Sequence, residues 1–178
     1  MKKLFTTFSF LLLSLSSVAQ LPVPKDTLIF TSLNIQSDGL LYWSTKNEAS
    51  KSPFIIEQFR WNKWIKLGNV DPVGTTNKNN YSFQTVPHSG KNIFRVKQFS
   101  EDYASKELKW NSNEPKVSFK VRKKSLEISF SSDTHYEIFD STQKLQKKGY
   151  GGSVSIESLP KGIYTLNYDN FTHAFERE

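Results

Sequence analysis

Beyond residue 20 the chain carries almost no helical periodicity. Short runs of β-branched and aromatic residues recur instead about every ten residues, set apart by Gly, Asn, Asp, Ser and Pro. Apolar residues at every second position bury one face of a strand. Turn residues at this spacing send the chain back before a long element can form. The pattern restricts the fold to all-β, built as tandem antiparallel β-sandwiches.

Leu28-Ile29-Phe30 and Leu33-Asn34-Ile35 suggest a first strand, and Asp38-Gly39 a hairpin, because Gly accepts the positive φ that such turns require. Leu40 to Ser44 reads as a strand that sends Trp43 into the core. Phe54 to Phe59 and Trp64 to Gly68 form the next pair, joined through Trp61-Asn62-Lys63. Tyr81-Ser82-Phe83, Asn92 to Phe99 and Tyr103 to Leu108 complete a set of about seven strands. Polar residues 111–115, closed by Pro115, read as a linker, and strand signals restart at Lys116-Val117-Ser118-Phe119. The expected organisation is therefore a leader over 1–19, a first sandwich over 20–110, the linker 111–115 and a second sandwich over 116–178.

The leader rests on Lys2 and Lys3, the apolar stretch Leu4 to Leu15, and the small residues Ser17-Val18-Ala19. Its apolar part is short and diluted by Ser and Thr, so it reads as a secretory signal peptide and not as a spanning helix, which needs about 20 apolar residues. The mature chain is expected to begin at Gln20, in the periplasm, at the outer membrane, or on the cell surface or secreted, with no transmembrane span. Without Lys2 and Lys3 the net charge falls from +7 to +5. A basic surface of this size is solvating, and it also suits a surface glycan or lipopolysaccharide. Nucleic acid is not expected of an exported chain, and the Lys120 to Lys124 cluster sits in an expected strand and turn. There is no cysteine, so stability must come from core burial, to which 14 Phe, 7 Tyr and 4 Trp contribute much of the apolar area.

Two resemblances follow from the order of these pieces. Leu41-Tyr42-Trp43-Ser44-Thr45, Phe54-Ile55-Ile56-Glu57, Gly68-Asn69-Val70, Tyr81-Ser82-Phe83 and Gly90 to Gln98 together resemble a fibronectin type III-like domain. In the tail, Glu127 to Phe130, Tyr136 to Asp140, Lys144 to Gln146, Ser153 to Ile156 and Leu159 to Leu166 follow one another as short strands. That order resembles the C-terminal sorting domain of the type IX secretion system of Bacteroidetes, a smaller Greek-key sandwich. The motif positions are Ile138, Phe139, Asp140, Leu159, Pro160, Gly162 and Tyr164. Gln143 stands where that family carries Gly in the hairpin, so a left-handed backbone there is avoided or strained. The resemblance implies an address and attachment device, with the type IX translocon or its shuttle proteins as partners.

Catalytic chemistry finds little support. Cys is absent, as are a Gly-x-Ser-x-Gly elbow and a phosphate-binding Gly loop. His88 falls in a turn where a solvated side chain is expected, and His135 and His173 lie in separate strands without metal-ligand spacing. A hydrolase would have to gather His135, His173 and a carboxylate in one pocket. Neither a metal nor a cofactor is expected.

Trp61, Lys63 and Trp64 are the candidate partner-binding residues. If Ile65 and Leu67 face inward, Trp64 points outward with Lys66, whereas Trp61 shares a face with Phe59 and reads as core edge or contact surface. The expected function is non-catalytic: an exported cell-envelope protein that docks other proteins and is tied to type IX secretion. The alternative is a surface carbohydrate-binding or adhesion module using an exposed Trp hairpin.

Overall fold

The computed structural model describes residues 27–48, 51–98 and 104–178, and every regular element among them is a β-strand. The leader expected at Met1 to Ala19 and the expected strand residues Phe99 and Tyr103 lie outside the described residues.

The front half is a sandwich of two antiparallel sheets. One sheet runs in the order β1 (Ile29–Ile35), β2 (Leu40–Lys46), β5 (Asn79–Gln84). The other runs β4 (Lys63–Val70), β3 (Phe54–Arg60), β6 (Gly90–Gln98), β7 (Leu108–Ser112). The turn expected at Asp38-Gly39 joins β1 to β2, with Gly39 at φ +84° and the Leu40 N–H donating to the Asp38 carboxylate at 3.0 Å. Alternation carries Leu41 and Trp43 of β2, Phe54 and Ile56 of β3, and Phe94 and Val96 of β6 into one core. Trp43 is 1% exposed, stacked on Tyr81 at 5.3 Å and edge-on to Phe54 at 6.0 Å. Trp110 to Ser112 belong to β7, where they pair with β6, so the strand runs two residues into the stretch read as linker.

In the tail, five strands form one hydrogen-bonded sheet. Its order is β10 (Leu145–Ser155), β9 (Glu127–Phe139), β11 (Gly162–Tyr168), β12 (Phe171–Arg177), with β8 (Phe119–Arg122) on the first part of β9. The runs Glu127 to Phe130 and Tyr136 to Phe139 are one 13-residue strand, not two. Ser129 pairs with Ser153 and Thr134 with Gly151, so β9 advances five residues where β10 advances two. The excess bends the sheet. Ile128 and Val154 before the bend then share a core with Ile138, Leu166 and Tyr168 beyond it. Both layers come from a single folded sheet.

Of the tail motif positions, Ile138, Leu159 and Tyr164 are buried in this core, with Tyr164 stacked on Phe175 at 5.5 Å and donating its hydroxyl to the Pro160 carbonyl at 2.8 Å. Gly162 starts β11 at φ +154°. The Asp140 carboxylate organises the β9–β10 turn, accepting from the Thr142 N–H at 2.9 Å, the Lys144 N–H at 3.1 Å and Gln146 at 2.6 Å. Gln143 adopts the left-handed backbone, φ +65°, that a glycine would hold without strain. We expect Gln143→Gly to raise stability by about 0.5–1 kcal/mol in chemical denaturation. An unchanged or lowered midpoint would show that the turn carries no strain.

A buried carboxylate closes the far end of the front sandwich. Glu48 is 2% exposed and accepts from the Gly74 N–H at 2.9 Å, the Tyr81 hydroxyl at 2.8 Å and the Thr45 hydroxyl, pinning the β4–β5 loop to β2. Burial alone would raise its pKa, but the bonds from Thr45, Gly74 and Tyr81 hold it below the ordinary 4.5. Burial and the same carboxylate push Tyr81 up to about 12. Since the folded-state value of Glu48 lies below the unfolded one, its contribution is complete above pH 4.5 and is lost as pH falls through the folded value. Melting temperature should therefore fall on acidification below pH 4.5 in the parent, and fall less steeply in Glu48→Gln. Parallel curves for the two proteins would exclude this carboxylate as a source of acid sensitivity.

Candidate functional site

The inward-facing stripe of β3 reads Phe54, Ile56, Gln58, Arg60, and that of β6 reads, from the same end, Gln98, Val96, Phe94, Asn92. Apolar residues fill the middle of the front sandwich, and Gln58, Arg60 and Asn92 make its interior polar at the end that meets the tail. Gln58 and Asn92 are 0% exposed and Arg60 is 2% exposed. A buried polar group is stable only when bonded, and a buried charge only when paired. The polar groups here are bonded, and the Arg60 guanidinium is met by carbonyl oxygens, not by a carboxylate in contact with it. The Arg60 Nε donates to Gln58 at 2.6 Å and its second guanidinium nitrogen to the Val86 carbonyl at 2.6 Å. The Gln58 amide donates to Asn92 Oδ1 at 2.5 Å, and that oxygen also accepts from the His88 N–H at 3.1 Å. The Asn92 amide returns to the His88 carbonyl at 2.9 Å. Burial pulls the Arg60 guanidinium down to about 10, with Asp169 opposing the shift, so Arg60 stays charged at neutral pH.

Asp169 brings a carboxylate to the same junction from the tail, where its charge acts on Arg60 at a distance and not through an ion pair. It sits at the tip of the β11–β12 hairpin with a left-handed backbone, φ +47°, and is 1% exposed. Its carboxylate accepts from the Ser89 N–H at 2.8 Å, from the Ser89 hydroxyl, and from the Val117 N–H at 3.4 Å. Its own N–H donates to the Thr134 hydroxyl at 2.9 Å. One side chain thereby ties the β5–β6 loop of the front sandwich, the entry into the tail, and the tail hairpin. His88 belongs to this junction. It is 3% exposed instead of solvated, its Nδ1 lies 2.8 Å from the Ser89 carbonyl, and burial lowers its pKa.

Beside the junction the two sandwiches enclose a cleft of about 540 Å³. The front sandwich contributes Trp61, Phe83 and Lys66, and the tail contributes Tyr136, Lys148 and Tyr150. Gly149 is needed here: a Cβ on it would stand 2.5 Å from the Tyr136 hydroxyl oxygen, so only glycine lets that ring lie across β10. His135 also lines the cleft, 4.8 Å from the Tyr150 ring. Burial, reinforced by the Arg60 charge, holds it down to about 4, so the imidazole is neutral at pH 7.

The three candidate binding residues separate in space. Trp61 lines the cleft, half-buried, with its indole N–H unbonded among the described residues. Trp61 and Asn62 form a two-residue turn with φ +49° and +59°. Asn-Gly is preferred in such turns, and an L-residue held left-handed costs about 1–2 kcal/mol. Lys63 bonds the tail, 2.7 Å from the Glu137 carboxylate, with its ammonium 5.4 Å from the Phe139 ring. Trp64 does lie on the outer sheet face, but the Arg95 guanidinium stacks on it at 4.0 Å and Phe59 packs edge-on at 5.3 Å. The expected exposed Trp hairpin is thus not what folds. One indole faces the tail and the other is covered by Arg95.

His173 borders a different, shallow groove with Phe119 and Tyr168, so it does not share a pocket with His135. Among the described residues, no group of three or more His, Cys, Asp or Glu side chains gathers as a metal site. No helix among them is long and apolar enough to cross a membrane. The residues missed in the sequence, Gln58, Arg60, Asn92 and Asp169, had a signal. The first three hold the same inward phase as Phe54 and Ile56 in β3 and Phe94 and Val96 in β6.

No family model matches the chain, and none of the curated proteins matches it. A solved structure described as a biofilm-associated protein, BSP domain, is 13% identical to it. That alignment covers 83% of this chain and 28% of the other, at a TM-score of 0.31. At that score the likeness carries no argument.

Asp169→Ala should destabilise the protein by about 3 kcal/mol, because it strands the buried Ser89 N–H and hydroxyl and the Val117 N–H. Urea denaturation measures the loss. Limited proteolysis should at the same time show faster cutting between residues 112 and 117. A loss under about 1 kcal/mol would mean that the junction is held by other contacts.

Proposed function

We propose that this protein is a non-catalytic, exported binding protein of the cell envelope, delivered by or associated with the type IX secretion machinery, and that it binds in the cleft between its two sandwiches. The observation that carries the reading is the construction of that cleft. Its walls come from both halves of the chain, and the halves are joined by the Asp169 bonds to Ser89 and by the Lys63–Glu137 ion pair. A cleft of this volume with aromatic walls and a few charged groups is a usual small-ligand site. Fixing the walls before binding reduces the ordering cost. The sorting-domain resemblance of the tail supports the route, and the leader at Met1 to Ala19 supports export. Docking through an exposed Trp hairpin has no part in this reading, because Trp61 and Lys63 face the tail and Trp64 lies under Arg95.

The test is recovery of the tagged mature protein from its native cell fractions, with mass spectrometry of its companions and of its own C-terminus. The expected result is an intact chain ending at Glu178, in the envelope fraction, with secretion-machinery components. Recovery from the cytoplasm, or from the envelope without any such component, would defeat the reading.

A further inference from the structure

The cleft is not neutral, and its charge arrangement narrows what it takes. Among the described residues that line it, Glu137 is the one carboxylate, and that group is already spent: Lys63 binds it at 2.7 Å and the Asn167 amide reaches it at 3.3 Å. Arg60 is 2% exposed, and its guanidinium is already bonded to Gln58 and the Val86 carbonyl. Lys66 and Lys148 remain. They come from opposite sandwiches, both are exposed, and neither has a hydrogen bond or ion pair among the described residues. Between them lie aromatic surfaces. Trp61 stands on one side and Tyr150, 51% exposed and braced by His135, on the other, with Tyr136 lying across Gly149. Neutral His135 adds no charge at pH 7 and leaves a ring nitrogen free to accept a hydroxyl proton.

We propose that this cleft binds an anionic saccharide: a pyranose ring placed against the Trp61 and tyrosine faces, with its carboxylate or sulfate held by Lys66 and Lys148. Aromatic side chains with polar edges suit a ligand that is apolar on its ring faces and hydroxylated around its rim. The cations are lysine point charges on flexible stems, and no Gly-rich loop offers a cradle of backbone N–H groups, so a nucleotide phosphate is the poorer fit. The backbone at Trp61 is consistent with a residue kept for what it touches. Asn or Gly would make the same turn without strain, and neither would furnish the wall. The inference rests on the binding reading above and specifies its ligand.

Calorimetric titration of the mature protein tests it, with tetragalacturonate, a sulfated disaccharide, uncharged maltotetraose and AMP as probes. The acidic saccharides should bind at least tenfold more tightly than maltotetraose, and more weakly as salt rises. Which acid binds better separates carboxylate from sulfate as the preferred group. Lys66→Ala combined with Lys148→Ala should weaken binding tenfold or more. Trp61→Asn should abolish binding while leaving the melting temperature unchanged or higher, since Asn is at ease in that turn. Trp64→Ala, outside the cleft, should bind as the parent does.

Equal affinity for charged and uncharged saccharides, tighter binding of AMP, or no binding of any saccharide would overturn the proposal. So would binding that survives both the lysine pair and Trp61→Asn. If the envelope recovery experiment succeeds while the saccharides fail, the ligand assignment alone is wrong.

Discussion

The arrangement of this molecule depends on where one carboxylate goes. Asp169 is carried at the tip of a hairpin and fully withdrawn from water, a position an anion tolerates only when every lone pair facing the interior is met. Ser89 and Val117 meet them. Ser89 belongs to the front sandwich and Val117 to the entry into the tail, and the buried Gln58 and Arg60 at the end of β3 lie at the same junction. Separating the two sandwiches would strip the Asp169 carboxylate of its Ser89 donors, so their relative placement is specified chemically and not merely by the length of the linker. The cleft, whose walls come from both sides, inherits its shape from that placement.

Much of the fold was legible because alternation is a local property. Trp43, Phe94 and Val96 sit where the period of two puts them, and Asp38-Gly39 turns where glycine permits. What local pattern could not reveal was continuity. Ser131-Ser132-Asp133 is polar and reads as a loop, yet β9 runs straight through it, because the bend exposes those residues while the pairing with β10 resumes on either side. The junction was obscured for a related reason. Gln58, Arg60 and Asn92 hold inward phase, and a polar residue in such a position is usually an edge or an error of register. Here it marks the place where the core of one domain meets another.

The tryptophan hairpin shows how a correct local observation can mislead about its setting. Two indoles flanking Asn62 and Lys63 are unusual, and a strand-phase argument does place Trp64 outward. Exposure depends on tertiary neighbours that phase does not encode. Arg95, paired with Glu57 across the adjacent strand at 2.7 Å, is held where its guanidinium covers Trp64. Trp61 sits in the turn itself, where strand phase has no meaning. The left-handed backbone at Trp61 and Asn62 carries the indole toward the tail. The strain at that turn is the more informative feature, because sequence preference alone would have removed it.

This geometry also bears on whether the tail can be only an address. On the sorting-domain reading, a tail of this kind is either removed after export or retained. Here the tail supplies Asp169, which holds the Ser89 N–H and hydroxyl of the front sandwich, and it supplies Tyr136, Lys148 and Tyr150 to the cleft. Cleavage before β8 would leave the buried Ser89 N–H without its acceptor and the cleft with one wall. A donor buried against the tail and then orphaned carries a desolvation cost that the intact chain does not have. The bonding at the junction therefore argues for a tail that stays with the front sandwich, since each half completes the polar face of the other.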